Sequence, residues 1–181
     1  MRLSKSILLV LLLVQLSTGC TSKTVGDIGP GGGIIFYDKG SYSDGWRYLE
    51  AAPEDIESFA FGFSWGCTDY YIPGTSSELG TGKINTVRIN YHCDNTSAAK
   101  VARSYNNADL NDWYLPSKME LLEIYKHREI IKNLNTSHAY SLYWSSTQSC
   151  ESSAWGIAFY KGHEVELYKN FQGNIRPVRA F

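Results

Sequence analysis

The chain has 181 residues, with 17 Lys and Arg against 18 Asp and Glu, a formal charge of −1, and 43% of its side chains are apolar. No basic block stands out, which excludes nucleic acid as a main partner, because phosphate binding needs clustered Lys and Arg. Thirteen Tyr and five Trp fit either a tightly packed β-rich core or a sugar-binding face, and composition does not choose between them.

Residues 1–19 are a different material from the rest. "MRLSK" is positively charged, "SILLVLLLVQL" is apolar but short for a bilayer span, and small residues lead to Cys20. That is the layout of a secretory signal peptide. The ending Ser17-Thr18-Gly19-Cys20 resembles a bacterial lipobox, which implies acylation of Cys20 (a palmitate-type lipid anchor) at the new N-terminus. The layout also fits an ordinary signal peptide that ends at a Cys. Two acyl chains anchor a protein stably, whereas one holds only marginally. Removing Arg2 and Lys5 leaves 15 basic against 18 acidic side chains, a formal charge of −3. The remaining chain is one domain's worth, able to bury a single core.

Residues 20–28 read as a polar tether and residues 29–181 as the domain. "PGGGIIFYDKG" gives a strand over Ile34 to Tyr37, bounded by Gly. "DKGSYSDG" then turns into a second strand, Gly45 to Pro53. Gly62 to Tyr91 is dense in Gly, Ser, Thr and aromatics, with no helical or strand period. A run that long inside a compact domain is a functional loop or a misread element. In "DNTSAAKVARSYNNAD", Ala98, Val101, Ala102 and Tyr105 form one helical stripe, with Asp94, Asn95 or Thr96 as cap.

"DWYLPSKMELLEIY" carries a capping box, Ser117 with Glu120, behind Pro116. Trp113 and Leu115 read as a plug seating this helix on a sheet, and "HREIIKNLN" continues or restarts the helix. "LYWSSTQ", "SAWGIAFYKG", "HEVELY" and "NIRPVRAF" read as four strands, with Pro177 placing the last at an edge or bulge. The order of elements is α+β and mainly antiparallel.

An exported chain meets an oxidising compartment, where a disulfide persists. Cys67, Cys93 and Cys150 allow three single pairings with one left over. Cys67 with Cys93 closes a loop of about 25 residues, worth roughly 3 kcal/mol in the chain-entropy model, and is preferred. Cys150, in "TQSCESS" at a hairpin tip, is the alternative partner, and three reduced thiols are the third reading.

"GDIGPGGGIIFY", "GWRYLEAAP", "WG", "GTGKINT", "DWYLPSKMELLEIY", "YWSST" and "IRPVRAF" occur in one order. Together they resemble the bacterial DUF1566 domain, also described as the C-terminal domain of the Legionella collagen-like adhesin, over about Gly26 to Phe181. The resemblance implies a C-type-lectin-like fold: two helices flanking a small antiparallel sheet, first and last strands together, and a long loop region at one end. At least one adhesin of the family is associated with sulfated host glycans. The resemblance therefore implies a recognition or adhesion module in the cell envelope, at the outer membrane or cell surface. Its partners would be an extracellular glycan or protein, the membrane through the lipid, and further copies of the chain.

"DWYLPSKMEL" is also similar to the helix start of formylglycine-generating and sulfatase-modifying enzymes. Those use two reactive cysteines late in the chain, and here Cys150 stands there without a near partner. Fold kinship does not transfer chemistry, so the expectation is no enzyme and no cofactor. A structural envelope lipoprotein without ligand is the remaining alternative. Calcium needs several gathered oxygen ligands, and Asp69 with Asp94 are too few. His92, His127, His138 and His163 lack zinc spacing, so no metal is expected. Trp46, Trp113, Trp144 and Trp155 read as core. Trp65, Tyr70 and Tyr71 fall in the irregular region, where they either form a ligand face or pack the loop down. Lys83 and Arg88 lie in the same region; they are ordinary surface charges or contacts for an acidic ligand.

Overall fold

The computed structural model describes residues 22–58, 62–93, 96–137 and 141–181. Cys20 and the signal segment, Asp94, Asn95 and His138 lie outside the described residues. Among the described residues the chain is α+β, built of small antiparallel sheets and three helices.

Strands β1 (Ile34–Ser43) and β2 (Trp46–Ala51) form an antiparallel hairpin. The sequence reading ended β1 early and placed a long turn after it. The strand instead runs on to Ser43, and Asp44 and Gly45 alone turn it, both with positive φ. An Asp-Gly pair is the chemistry a two-residue hairpin requires. The C-terminal strand β8 (Val178–Ala180) pairs with the other edge of β2, so the two ends of the domain meet in one sheet. Pro177 sits just before this short edge strand, where it withholds no ladder hydrogen bond. Residues 24–28, read as tether, are held to β1: Gly26 N–H donates to Ile35 O at 2.8 Å and Ile35 N–H to Asp27 O at 2.9 Å.

The second three-stranded sheet is β4 (Leu142–Gln148), β5 (Ser153–Ala158) and β6 (His163–Tyr168). All seven residues of β4 are buried. Its neighbours divide between two cores. Trp144 packs with Trp65, Ile89, Ala98 and Leu115, whereas Tyr143 packs with Phe36, Tyr114, Leu121 and Phe159. A strand covered on both faces loses the apolar–polar alternation that marks an exposed sheet. On β6 that alternation survives, with Glu164 and Glu166 outward and Val165 and Leu167 half-buried. A two-residue pairing of β3 (Phe63–Ser64) with β7 (Gln172–Gly173) completes the strands.

Helix α1 spans Gly82–His92, α2 Ala98–Ser104 and α3 Lys118–Lys126. The capping box of α3 is present as read: Ser117 Oγ accepts from Glu120 N–H and Glu120 Oε2 accepts from Ser117 N–H at 2.8 Å. Such a cap contributes about 1 kcal/mol. The cap of α2 is Ser97, one residue beyond the three expected, and Tyr105 lies past the helix end, edge-on to Trp113 at 5.2 Å. "HREIIKNLN" does not continue α3; it forms hydrogen-bonded turns, with Asn133 at positive φ.

Trp113 is fully buried, but it does not seat α3 as a plug. Its ring lies beneath Gly31, where an added Cβ would come within 2.5 Å, and beside Tyr105 and Arg179. Tyr114 enters the α3 core and Leu115 the α1–α2 core, so three successive residues serve three neighbourhoods. Trp144 is fully buried as read, whereas Trp46 and Trp155 are half-buried under the Lys39 and Lys118 ammonium groups.

Candidate functional site

The segment read as featureless contains α1, and the reason it escaped the periodicity is the key to the site. The buried face of α1 is Gly82, Asn85, Thr86 and Ile89. Asn85 donates to Ser76 O at 2.7 Å and accepts from Ser76 N–H at 3.0 Å. Thr86 Oγ1 accepts from Leu115 N–H at 3.0 Å. The helix thus rests on backbone edges, and those demand polar side chains inside. The opposite face carries Ile84, Val87 and Tyr91, exposed by 44%, 53% and 83%. These residues stand at i, i+3 and i+7, one stripe of a helix surface. Lys83 is exposed beside them. Apolar residues lie on both faces, Ile89 inside and this stripe outside, so no single apolar face marks the helix in the sequence although the helix is present.

Its start is held from another helix. Glu120 Oε1 accepts from Gly80 N–H at 2.9 Å and Gly82 N–H at 3.4 Å, so one carboxylate caps α3 and secures the approach to α1. A Cβ at Gly82 would lie 2.2 Å from Glu120 Oε2. Glu120 is fully buried, and burial pushes its carboxyl up to about 7 against the three backbone donors that favour the charged form.

The far end of α1 is tied by a disulfide between Cys67 and Cys93, the preferred pairing. Cys150 is free and exposed at the tip between β4 and β5. From Cys67 the chain runs alongside α1: Tyr70 stacks near His92 at 5.5 Å, and Arg88 Nη1 donates to Gly74 O. Tyr91 meets His92 edge-on at 5.0 Å. Beneath this loop the buried Lys169 ammonium donates to Tyr70 O at 2.6 Å, Cys67 O at 3.1 Å and Gln148 Oε1 at 3.3 Å. Burial lowers its pKa to about 8. Gln148 Oε1 also accepts from Ile72 N–H at 2.9 Å. A loop without regular structure is therefore fixed by one disulfide, one lysine and one amide.

Of the sequence candidates, Tyr70 and Tyr71 are exposed by 47% and 55% on this loop. Lys83 and Arg88 belong to the helix beside it, with Arg88 half-buried and engaged to Gly74. Trp65 is a correction: it is fully buried, donates its indole N–H to Ser145 O at 2.7 Å and packs in the core, so it cannot meet a ligand. Tyr91, Val87 and Ile84 were missed, because a stripe of outward apolar residues is visible only once the inward face is known. A polar recess of about 350 Å³, lined by Ser64, Thr68, Tyr70, His92 and Thr96 among others, opens at the disulfide end of the face. Among the described residues, no group of three or more His, Cys, Asp or Glu could hold a metal ion.

The geometry defines an α+β domain that presents one fixed aromatic and apolar surface beside a short polar recess. Residues 62–179 match the family of Lcl C-terminal domains, a stretch that begins just before β3 and takes in α1, its loop and the C-terminal sheet. The chain belongs to this family. No curated protein matches it.

Proposed function

We propose that this chain is a lipid-anchored envelope protein whose domain is a non-catalytic recognition module, adhering to extracellular glycans or matrix protein. The contact surface is the outer face of α1 with the loop of Tyr70 and Tyr71. The observation that carries the reading is the outward stripe of α1, with Ile84, Val87 and Tyr91 in solvent while Asn85 and Thr86 face inward. An apolar stripe held outward on a rigid scaffold is a feature of protein and glycan contact sites. Lys83 adds positive charge to that face, which suits an acidic partner. A C-type-lectin-like fold belongs to the same proposal, supported by the pairing of β2 with the C-terminal β8. So does acylation at Cys20, with the protein held at the outer membrane or cell surface.

The test is retention of the purified chain on a glycan array and on immobilised extracellular matrix. The double substitution Val87→Ser with Tyr91→Ala should reduce retention at least tenfold with an unchanged circular dichroism spectrum. Equal retention by both proteins would move the contact off the α1 face and overturn the reading, and no retention by either leaves a structural lipoprotein instead.

A further inference from the structure

A larger cleft, of about 860 Å³, shares no lining residue with the α1 face or its recess. The β3–β7 pairing forms one wall, because Gly62 backs directly onto Gly173, where an added Cβ would lie 2.7 Å from the backbone oxygen. The floor is Asp55, and it is fixed. Arg176 Nε donates to Asp55 Oδ1 at 2.6 Å, and its other nitrogens are consumed by Ala52 O and Asn133 O at 2.7 and 2.6 Å. Tyr143 donates its hydroxyl to Asp55 Oδ2 while accepting from Asn135 N–H at 2.6 Å. The Asp55 charge is thus matched by a guanidinium buried in the core.

Above this floor the chemistry is uniform. Asn170, Gln172 and Asn174 bring carboxamides, and Phe171, 44% exposed, brings an aromatic ring. Asn174 is set in place by donating from Nδ2 to Leu142 O at 2.9 Å. Among the described lining residues there is no Lys, Arg or His, and Glu57 adds a negative charge. A carboxamide offers a donor and an acceptor side by side, the complement of two neighbouring hydroxyls. An aromatic ring accepts the C–H face of a pyranose. An anion would meet Glu57 with no cation to offset it. The volume lies within the roughly 300–1,000 Å³ of ligand clefts.

We propose that this cleft binds a neutral saccharide of two or three rings, independently of the adhesive face. The test uses the full chain in detergent, with maltotriose, mannotriose and chitotriose as probes and a sulfated heparin disaccharide as the anionic comparison. Binding is read by saturation-transfer NMR and titration calorimetry. At least one neutral trisaccharide should bind, Phe171→Ala and Gln172→Ala should each weaken it at least tenfold, and Val87→Ser with Tyr91→Ala should leave it unchanged. Both cleft substitutions fall on exposed side chains, so folding is retained and checked by circular dichroism. The inference is overturned if none of the three binds, if both cleft variants bind like the parent, or if the sulfated disaccharide binds more tightly. Loss of trisaccharide binding in the Val87 and Tyr91 variant overturns it too, and would move the sugar to the α1 face. Failure of matrix retention with trisaccharide binding intact would sink only the adhesive reading.

Discussion

Glu120→Gln is the sharpest probe of how this domain is held together. The carboxyl ordinarily titrates near 4.5, and burial raises it to about 7 in the folded chain. A folded state that holds its proton more tightly than the unfolded state gains stability from that group at low pH. The gain is complete below about pH 4.5 and is lost as pH rises through about 7. At about 1.4 kcal/mol per pH unit, the loss across that window is about 3 kcal/mol. Glutamine does not titrate. It also presents an NH2 where the carboxylate accepts from Ser117, Gly80 or Gly82 N–H, which costs about 1–3 kcal/mol at every pH. The variant should therefore be less stable than the parent at pH 4.5. By pH 8 its stability relative to the parent should have risen by about 3 kcal/mol. Urea unfolding followed by circular dichroism at pH 4.5, 6, 7 and 8 measures the difference, and other titrating groups cancel in it. A difference that stays flat across the series, or that moves the other way, refutes the account of a buried carboxylate without a cation.

Three further outcomes are expected. Replacing Cys67 and Cys93 together by Ser should cost about 3 kcal/mol of unfolding free energy. Reducing the parent should cost the same, and a loss under about 1 kcal/mol would show that the bridge constrains nothing. Trp65→Ala should destabilise by about 3–5 kcal/mol, whereas Tyr71→Ala should change the thermal midpoint little, because the first ring is fully buried and the second mostly in solvent. Arg179 bridges Glu50 at 2.8 Å and Asp112 through two bonds of 2.8 and 3.0 Å. Arg179→Met should cost about 3–5 kcal/mol at pH 7, since it strands the buried Glu50 carboxylate, and adding Glu50→Gln should recover part of that loss in a double-mutant cycle.

What the residues decided by themselves was short in range. Ser117 and Glu120 close a capping box across three residues, so α3 begins where the sequence says. The strands "LYWSSTQ" and "HEVELY" were legible from their own composition, whereas Cys67 with Cys93 was a preference among three pairings that the fold then settled. The tertiary structure decided the rest, because the deciding partners are far along the chain. Helix α1 puts Asn85 and Thr86 inside beside Ile89 to satisfy the backbone at Ser76 and Leu115, and it leaves Ile84, Val87 and Tyr91 in water, so no single apolar face marks it. Trp65 looked like a loop aromatic until Ser145, eighty residues on, supplied the carbonyl that receives its indole N–H. Trp113 and Leu115 read as one plug, yet they and Tyr114 between them each enter a different neighbourhood, because segments from both ends of the chain converge on them. The candidate residues had the same fate: Tyr70, Tyr71, Lys83 and Arg88 were visible as residue types, but the meeting of Tyr70 with His92 and the stripe of Val87 and Tyr91 exist only once α1 is docked.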